Sequence, residues 1–295
     1  MRSLTYTNPN GIIITLGAAP YVITKLEGID APEWDDLETK APMQDGATDI
    51  GGSFQTRDIT VEGALASVPQ DMAGIYAARR LMILALNPKD GAGTLDLTTN
   101  SGTWRITAKP ISSPAFASKD ASDPYQRFQV VFHCPDPHWT DVSEMTSTLS
   151  EPGAGFAIPA AGLAIPIGGF VVETVNTING KSIIVINAGD VPCPVLVRFY
   201  GQTTNPKILN ATTGEYIRIV KTIALGDFVE VNTAFGGKTV EISESGSVTN
   251  ASMYLDLLST FFQLAVGNNQ ITFSDEGAAA GSSATITYRN RYIGV

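Results

Sequence analysis

The sequence has little of what catalytic and metal sites use most. Its 295 residues include two histidines and two cysteines. Cys134 and Cys193 stand far apart, each beside a proline. That spacing is no disulfide framework and fits a chain folded in a reducing cytoplasm, although a bond between the two stays open. There is no paired C-x-x-C or H-x-x-x-H donor set, no G-x-S-x-G elbow, no P-loop, no G-x-G-x-x-G after a strand and no EF-hand loop. No pair of carboxylates stands out for glycoside hydrolysis. The expectation is a protein that is not an enzyme and carries no cofactor, with no catalytic or metal residues assigned.

Positive charge is also scarce. Lys and Arg number 19 against 29 Asp and Glu, a net charge of -10. Residues 1–142 hold 11 basic and 17 acidic residues, which leaves 8 and 12 for the remainder. Phosphate binding needs cations to displace counterions, so sequence-independent nucleic-acid binding and attraction to anionic membranes are disfavoured. The N-terminal MRSLTYTNPNG lacks the apolar run of a signal peptide. The uncharged stretch 153–172 is long enough to span a bilayer, but Pro159, Pro166 and many glycines interrupt it. It reads as apolar loops and strands on a sheet, and no membrane association is expected.

What the chain does have is short runs rich in Val, Ile, Thr, Phe and Tyr, punctuated by Gly, Pro and Asn. That pattern predicts a mainly β protein. In RFQVVFHC, 127–134, alternation puts Phe128, Val130 and Phe132 on one face and Gln129, Val131 and His133 on the other. One helix is expected near 69–87, within 67–88. Ser67 and Gln70 form a capping-box pattern, Pro69 lies in the first turn, and Asn87-Pro88 stops the helix. Met72, Ile75, Tyr76, Arg79, Met82, Ile83 and Leu86 are read as one stripe. Arg79 and Arg80 serve either solvation or a subunit contact. Residues 28–53 read as a long polar loop with Trp34, Asp35, Asp36 and Glu38, either a solvated surface loop or an arm that reaches a partner. Ser, Thr, Gly and Pro accumulate after residue 141 and mark a domain break. The expected organisation is a first domain over 1–142, a linker over 143–158 and a second domain over 159–295, whose last strand has the option of packing back on the first.

The richest chemical stretch is HCPDPHWTD, 133–141, with both histidines and Cys134. Adjacent strand residues point to opposite faces, so His133 and Cys134 do not easily share one ion. Pro135 and Pro137 stiffen the turn that follows. The stretch reads as an interdomain junction formed by Pro135, Pro137 and Trp139. Sugar binding competes as a reading because β-sandwiches host lectins. All three tryptophans precede the break, however, and only tyrosines such as Tyr200, Tyr216, Tyr254, Tyr288 and Tyr292 follow it.

Several segments, in order, resemble the distal tail proteins of siphophages, the Dit-like family. INAGDVPCPVLVRFYGQTTNPKILNATTGEYIRI (186–219), LSTFFQLAVGNNQITFS (258–274) and TITYRNRYIGV (285–295) are similar to its second half. APMQDGAT (41–48), TRDITVEGAL (56–65), RRLMILALNP (79–88) and the DPHWTD corner follow its first half. The resemblance implies two β-sandwich-like domains, the first with one helix and an extended hairpin arm, the second galectin-like. It implies a homo-hexameric ring at the virion tail tip, made in the host bacterial cytoplasm. The ring would join the tail tube protein to the tail-associated lysin or baseplate hub protein. DNA would pass through its centre without specific binding, which an acidic wall suits. On this resemblance the arm residues Trp34, Asp35 and Asp36, with Arg79 and Arg80, become interface candidates. A receptor-binding protein or host glycan is a further partner. The alternative is a carbohydrate-binding module that recognises cell-wall glycans through the second domain.

Overall fold

The computed structural model describes residues 2–66, 72–116, 125–150, 182–277 and 282–295. The expected helix start at Ser67, Pro69 and Gln70 and the apolar stretch 153–172 lie outside the described residues. The chain divides into two units, residues 1–142 with 291–295, and residues 143–290.

The first unit begins with β1 (Ser3–Thr7), β2 (Ile13–Leu16) and β3 (Tyr21–Glu27), followed by the hairpin β4 (Trp34–Thr39) and β5 (Thr48–Phe54). Then come β6 (Arg57–Ala66), α1 (Met72–Ala85), β7 (Gly93–Thr99), β8 (Gly102–Pro110), β9 (Ala115–Phe116), β10 (Tyr125–Cys134) and β11 (Trp139–Asp141). The strand order is β2-β1-β7-β8-β10-β6-β3. The start of β8 pairs with β7 and β11, and its end, Lys109–Pro110, pairs with β10. One strand thus passes between two sheet segments, which is how sandwich corners are built. The β10 alternation is as the sequence predicts: Phe128, Val130 and Phe132 are buried and Gln129 is exposed. Tyr6 packs on Phe132 with ring centroids 5.2 Å apart.

The helix stripe is shifted from the expected one. Ile75, Ala78, Met82, Ala85 and Leu86 are buried, whereas Tyr76 and Ile83 are exposed. The apolar count misled because Ala78 and Ala85 are small. They let the helix sit close to the core, where the Tyr21 hydroxyl donates to the Ala78 carbonyl at 3.0 Å.

The second unit holds β12 (Met145–Ser150), β13 (Ser182–Asn187), β14 (Cys193–Tyr200), β15 (Thr203–Thr204), β16 (Lys207–Asn210), β17 (Glu215–Arg218) and β18 (Thr222–Ile223). It continues with β19 (Phe228–Asn232), β20 (Thr239–Glu244), β21 (Ser247–Asn250), β22 (Gln263–Leu264), β23 (Gly267–Ser274) and β24 (Ser283–Tyr288). One sheet runs β12-β24-β14-β19-β20-β21, with β22 on β14, and a second runs β13-β23-β16-β17. β14 alternates strictly between buried and half-buried residues, and Phe199 meets Phe273 at 6.4 Å. Among the described residues no helix is long and apolar enough to cross a membrane.

The linker expected over 143–158 is corrected for its first part. Residues 145–150 form β12, paired along their length with β24 and burying Leu149. MTSTLS looked like a linker because it is polar, but Thr is also a strand former, and alternation suffices at a sheet edge. The rest of the expected linker lies outside the described residues.

The last strand, β25 (Arg291–Tyr292), belongs to the first unit, where Tyr292 pairs with Trp139. Trp139 is therefore corrected from a junction residue to a core residue. It is fully buried in the first unit's apolar cluster, and its indole N–H donates to the Ile29 carbonyl at 3.3 Å. Trp139→Ala should destabilise the first unit by about 3–5 kcal/mol through the cavity it leaves. Calorimetry of the full chain should show that unit's transition falling while the second unit's transition stays in place.

Candidate functional site: the arm and its root

The expected loop over 28–53 is a two-stranded hairpin. β4 pairs with β5, from Trp34 opposite Phe54 to Thr39 opposite Thr48, and with no other strand among the described residues. All of β4 is exposed. A register shift falls between Asp36 and Glu38, opposite Ile50 and Gly51, and Gly51 takes a positive φ of 108°. The strand pattern was hard to read because β4 is half acidic and β5 carries the pair Gly51-Gly52.

The root of the arm is closely fixed. Gly28 has φ 83°, and a Cβ there would stand 2.0 Å from the Asp58 carbonyl oxygen. Only glycine permits that approach. Arg57, the first residue of β6, is buried and donates to four backbone carbonyls. Its Nε reaches Pro137 at 2.8 Å, Nη1 reaches Gly28 at 3.0 Å and Asp30, and Nη2 reaches Ile293 at 2.5 Å. The guanidinium carbon lies 5.8 Å from the Trp139 ring centroid. Burial lowers the Arg57 pKa from its usual value, and Cys134 and Asp30 act in the opposite direction. An arginine retains its proton under such conditions.

The corner 135–138 is locked by charge as well. Arg291 reaches both Asp136 oxygens at 2.5 and 2.6 Å and His138 Nδ1 at 3.1 Å. His138 Nδ1 also lies 3.0 Å from Asp136. The Phe54 ring meets His138 edge-on at 5.7 Å, and Trp34 meets Phe54 at 4.9 Å. The Trp34 indole donates to Asp36, and the Gln55 amide donates to Asp35 at 3.1 Å. Asp136, His138, Phe54 and Trp34 thus form a continuous chain of contacts from the corner to the arm.

The structure brings Trp34, Asp35 and Asp36 together on the arm and places Arg79 and Arg80 on α1. Arg80 is exposed, and the Arg79 guanidinium sits 4.5 Å over the Phe116 ring. Pro135 and Pro137 lie in the corner of the first unit, and the Pro137 carbonyl serves Arg57. Sequence reading missed Arg57, Phe54 and Arg291. The donors of HCPDPHWTD are separately engaged. His133 bonds Asp58 at 2.7 Å, His138 belongs to the Arg291 cluster, and Cys134 is buried, its thiol pushed up to about 12 by burial. No group of three or more potential metal ligands occurs among the described residues.

In the second unit, several aromatic side chains are occupied by neighbours. Lys207 lies over Tyr216 and Lys221 over Tyr254, at 4.0 and 4.4 Å. The Tyr288 hydroxyl donates to the Ile186 carbonyl at 2.9 Å. Asparagine side chains brace the turns of this unit. The Asn187 amide donates to Val191 and Leu264 carbonyls at 2.9 and 3.1 Å. Buried Asn269 bonds Ala265 through both ends of its amide and also accepts from Asn210 at 3.1 Å.

The fold is similar to those of chains in solved phage tail structures. The crystal structure of SPP1 Dit (gp 19.1), described as a paradigm of hub adsorption apparatus in Gram-positive-infecting phages, superposes with a TM-score of 0.67. Identity is 12%, and 99% of each chain is covered. A chain of the phage P2 baseplate in its activated conformation with Ca gives a TM-score of 0.55 at 10% identity over 100% of both chains. The same baseplate with Sr gives 0.54. At these identities the likeness is one of fold. No curated protein sequence matches the chain. The family described as siphovirus-type tail component, C-terminal domain, matches residues 188–292, which lie almost wholly in the second unit.

The corner carries a pH dependence. Burial acts to raise the Asp136 pKa, but the hydrogen bond from His138 and the charge of Arg291 outweigh it, so the pKa is lowered. A depressed carboxyl contributes stability above its unfolded pKa of about 3.9 and loses it as pH falls through the folded value. In chemical denaturation, the stability gap between wild type and Asp136→Asn should be constant above about pH 5 and should shrink on acidification through and below the unfolded value.

Proposed function

We propose that the protein is the distal tail hub of a long-tailed phage, a structural component at the virion tail tip without enzymatic activity. It assembles through its first unit as a hexameric ring that joins the tail tube to the tail-associated baseplate protein. The observation that carries this reading is the arm. A hairpin paired only with itself, exposed along β4 and fixed at its root by Arg57, is suited to reach another chain. The fold likeness to hub and baseplate chains supports the same assignment. The second unit serves as a docking module for a receptor-binding protein or other tail component. Tyr216, Tyr254 and Tyr288 are engaged by neighbours, which weakens the carbohydrate-binding alternative for these three rings. The net charge of -10 suits a ring through which DNA passes without being held.

Electron microscopy of the purified protein at high concentration should show six-fold rings, and antibody labelling of phage particles should mark the distal end of the tail. A strictly monomeric protein together with label elsewhere on the particle would contradict the reading.

A further inference from the structure

Two surfaces of the first unit are exposed and complementary to each other. The arm, residues 34–54, carries Asp35, Asp36, Glu38, Asp45 and Asp49 against the single cation Lys40. Its strands place Glu38 directly opposite Asp49, a like-charge cross-strand pair that destabilises a hairpin in water. A two-stranded hairpin is marginal by itself even without such a pair. Trp34, Leu37 and Ile50 are nonetheless more than half exposed on it. The arm combines unneutralised negative charge with uncovered apolar surface, and both are relieved by a surface that is basic and apolar.

Helix α1 presents such a surface. Tyr76, Arg80, Ile83 and Leu84 recur at the spacing of one helical face, and all four are exposed. The opposite face, with Ile75, Ala78 and Met82, is already in the core. The helix contains two arginines and no carboxylate. Among the described residues Arg80 makes no ion pair, and its free guanidinium is suited to carboxylate recognition.

We infer that the arm of one copy docks on the outer face of α1 of the next copy, with the Asp36, Glu38 and Asp49 carboxylates serving Arg80 while Leu37 and Ile50 cover Tyr76 and Leu84. The inference rests on the ring reading and specifies its contact. Arm and helix are different patches, so the contact is heterologous. It repeats from copy to copy until rotation closes it, whereas a self-complementary contact would stop at two.

Two variants, each altered on one side at exposed positions only, test this. One carries Leu37→Asp and Ile50→Asp on the arm, and the other carries Arg80→Asp and Leu84→Asp on the helix. Light scattering should find rings for wild type and monomers of about 31.2 kDa for each variant alone. An equimolar mixture should give dimers and nothing larger, because one intact arm meets one intact helix and the remaining pair is acidic on both sides. Circular dichroism should show both variants folded. Rings from either variant alone, or a mixture that stays monomeric, would overturn the arm-to-helix contact while leaving the ring reading standing. A monomeric wild type that also fails to form rings on assembled tails would overturn the ring reading itself.

Discussion

The first unit depends on one buried guanidinium. Arg57 begins β6 and holds four backbone carbonyls from three remote segments: Gly28 and Asp30 at the arm root, Pro137 in the corner and Ile293 near the end of the chain. Among the described residues it forms no ion pair. Its charge is compensated by carbonyl dipoles and the nearby Trp139 ring. Removing those donors would leave part-buried carbonyls short of partners, at a cost below the about 1–3 kcal/mol of a fully buried group. The planar fork also fixes direction. It sets where the hairpin leaves the body and where the last residues return.

That constraint explains the division between a rigid root and an unsupported arm. Gly28 brings the chain against Asp58, Trp139 fills the core below Ile29, and Arg291 ties Asp136 and His138 to the last strand. Beyond Phe54, Trp34 and the Gln55–Asp35 bond, the hairpin's strand pairing among the described residues is its own ladder alone. The entropy of orienting the arm is lost on folding, so less remains to be lost when it meets a partner. The second unit uses neutral polar groups in a comparable way, with Asn187, Asn210 and Asn269 fixing its turns.

Much of this was legible in the sequence, for physical reasons. Alternation in β10 survives because the strand buries one face, so burial follows period two. The break near residue 142 showed in composition. The helix was placed, but its buried face was read from large apolar residues, although Ala78 and Ala85 are two of the five buried residues there. The arm read as a loop because its strands carry carboxylates and glycines, residues that strands disfavour. Arg57 left no signal at all. Its partners are backbone carbonyls, which have no sequence identity, and they come from segments up to 236 positions away. In HCPDPHWTD, which gave the strongest chemical signal, His133 bonds Asp58, His138 joins the Arg291 cluster and Cys134 is buried.

The central claim is that Arg57 couples three segments through its fork geometry, beyond its charge. Hydrogen–deuterium exchange of an Arg57→Lys variant tests this most directly, because lysine keeps the charge and loses the planar donors. The account predicts that peptides covering 28–33, 135–139 and 290–295 lose protection together, while those of the second unit's core are unchanged. Loss confined to the start of β6, with the other segments as protected as in the wild type, would contradict it.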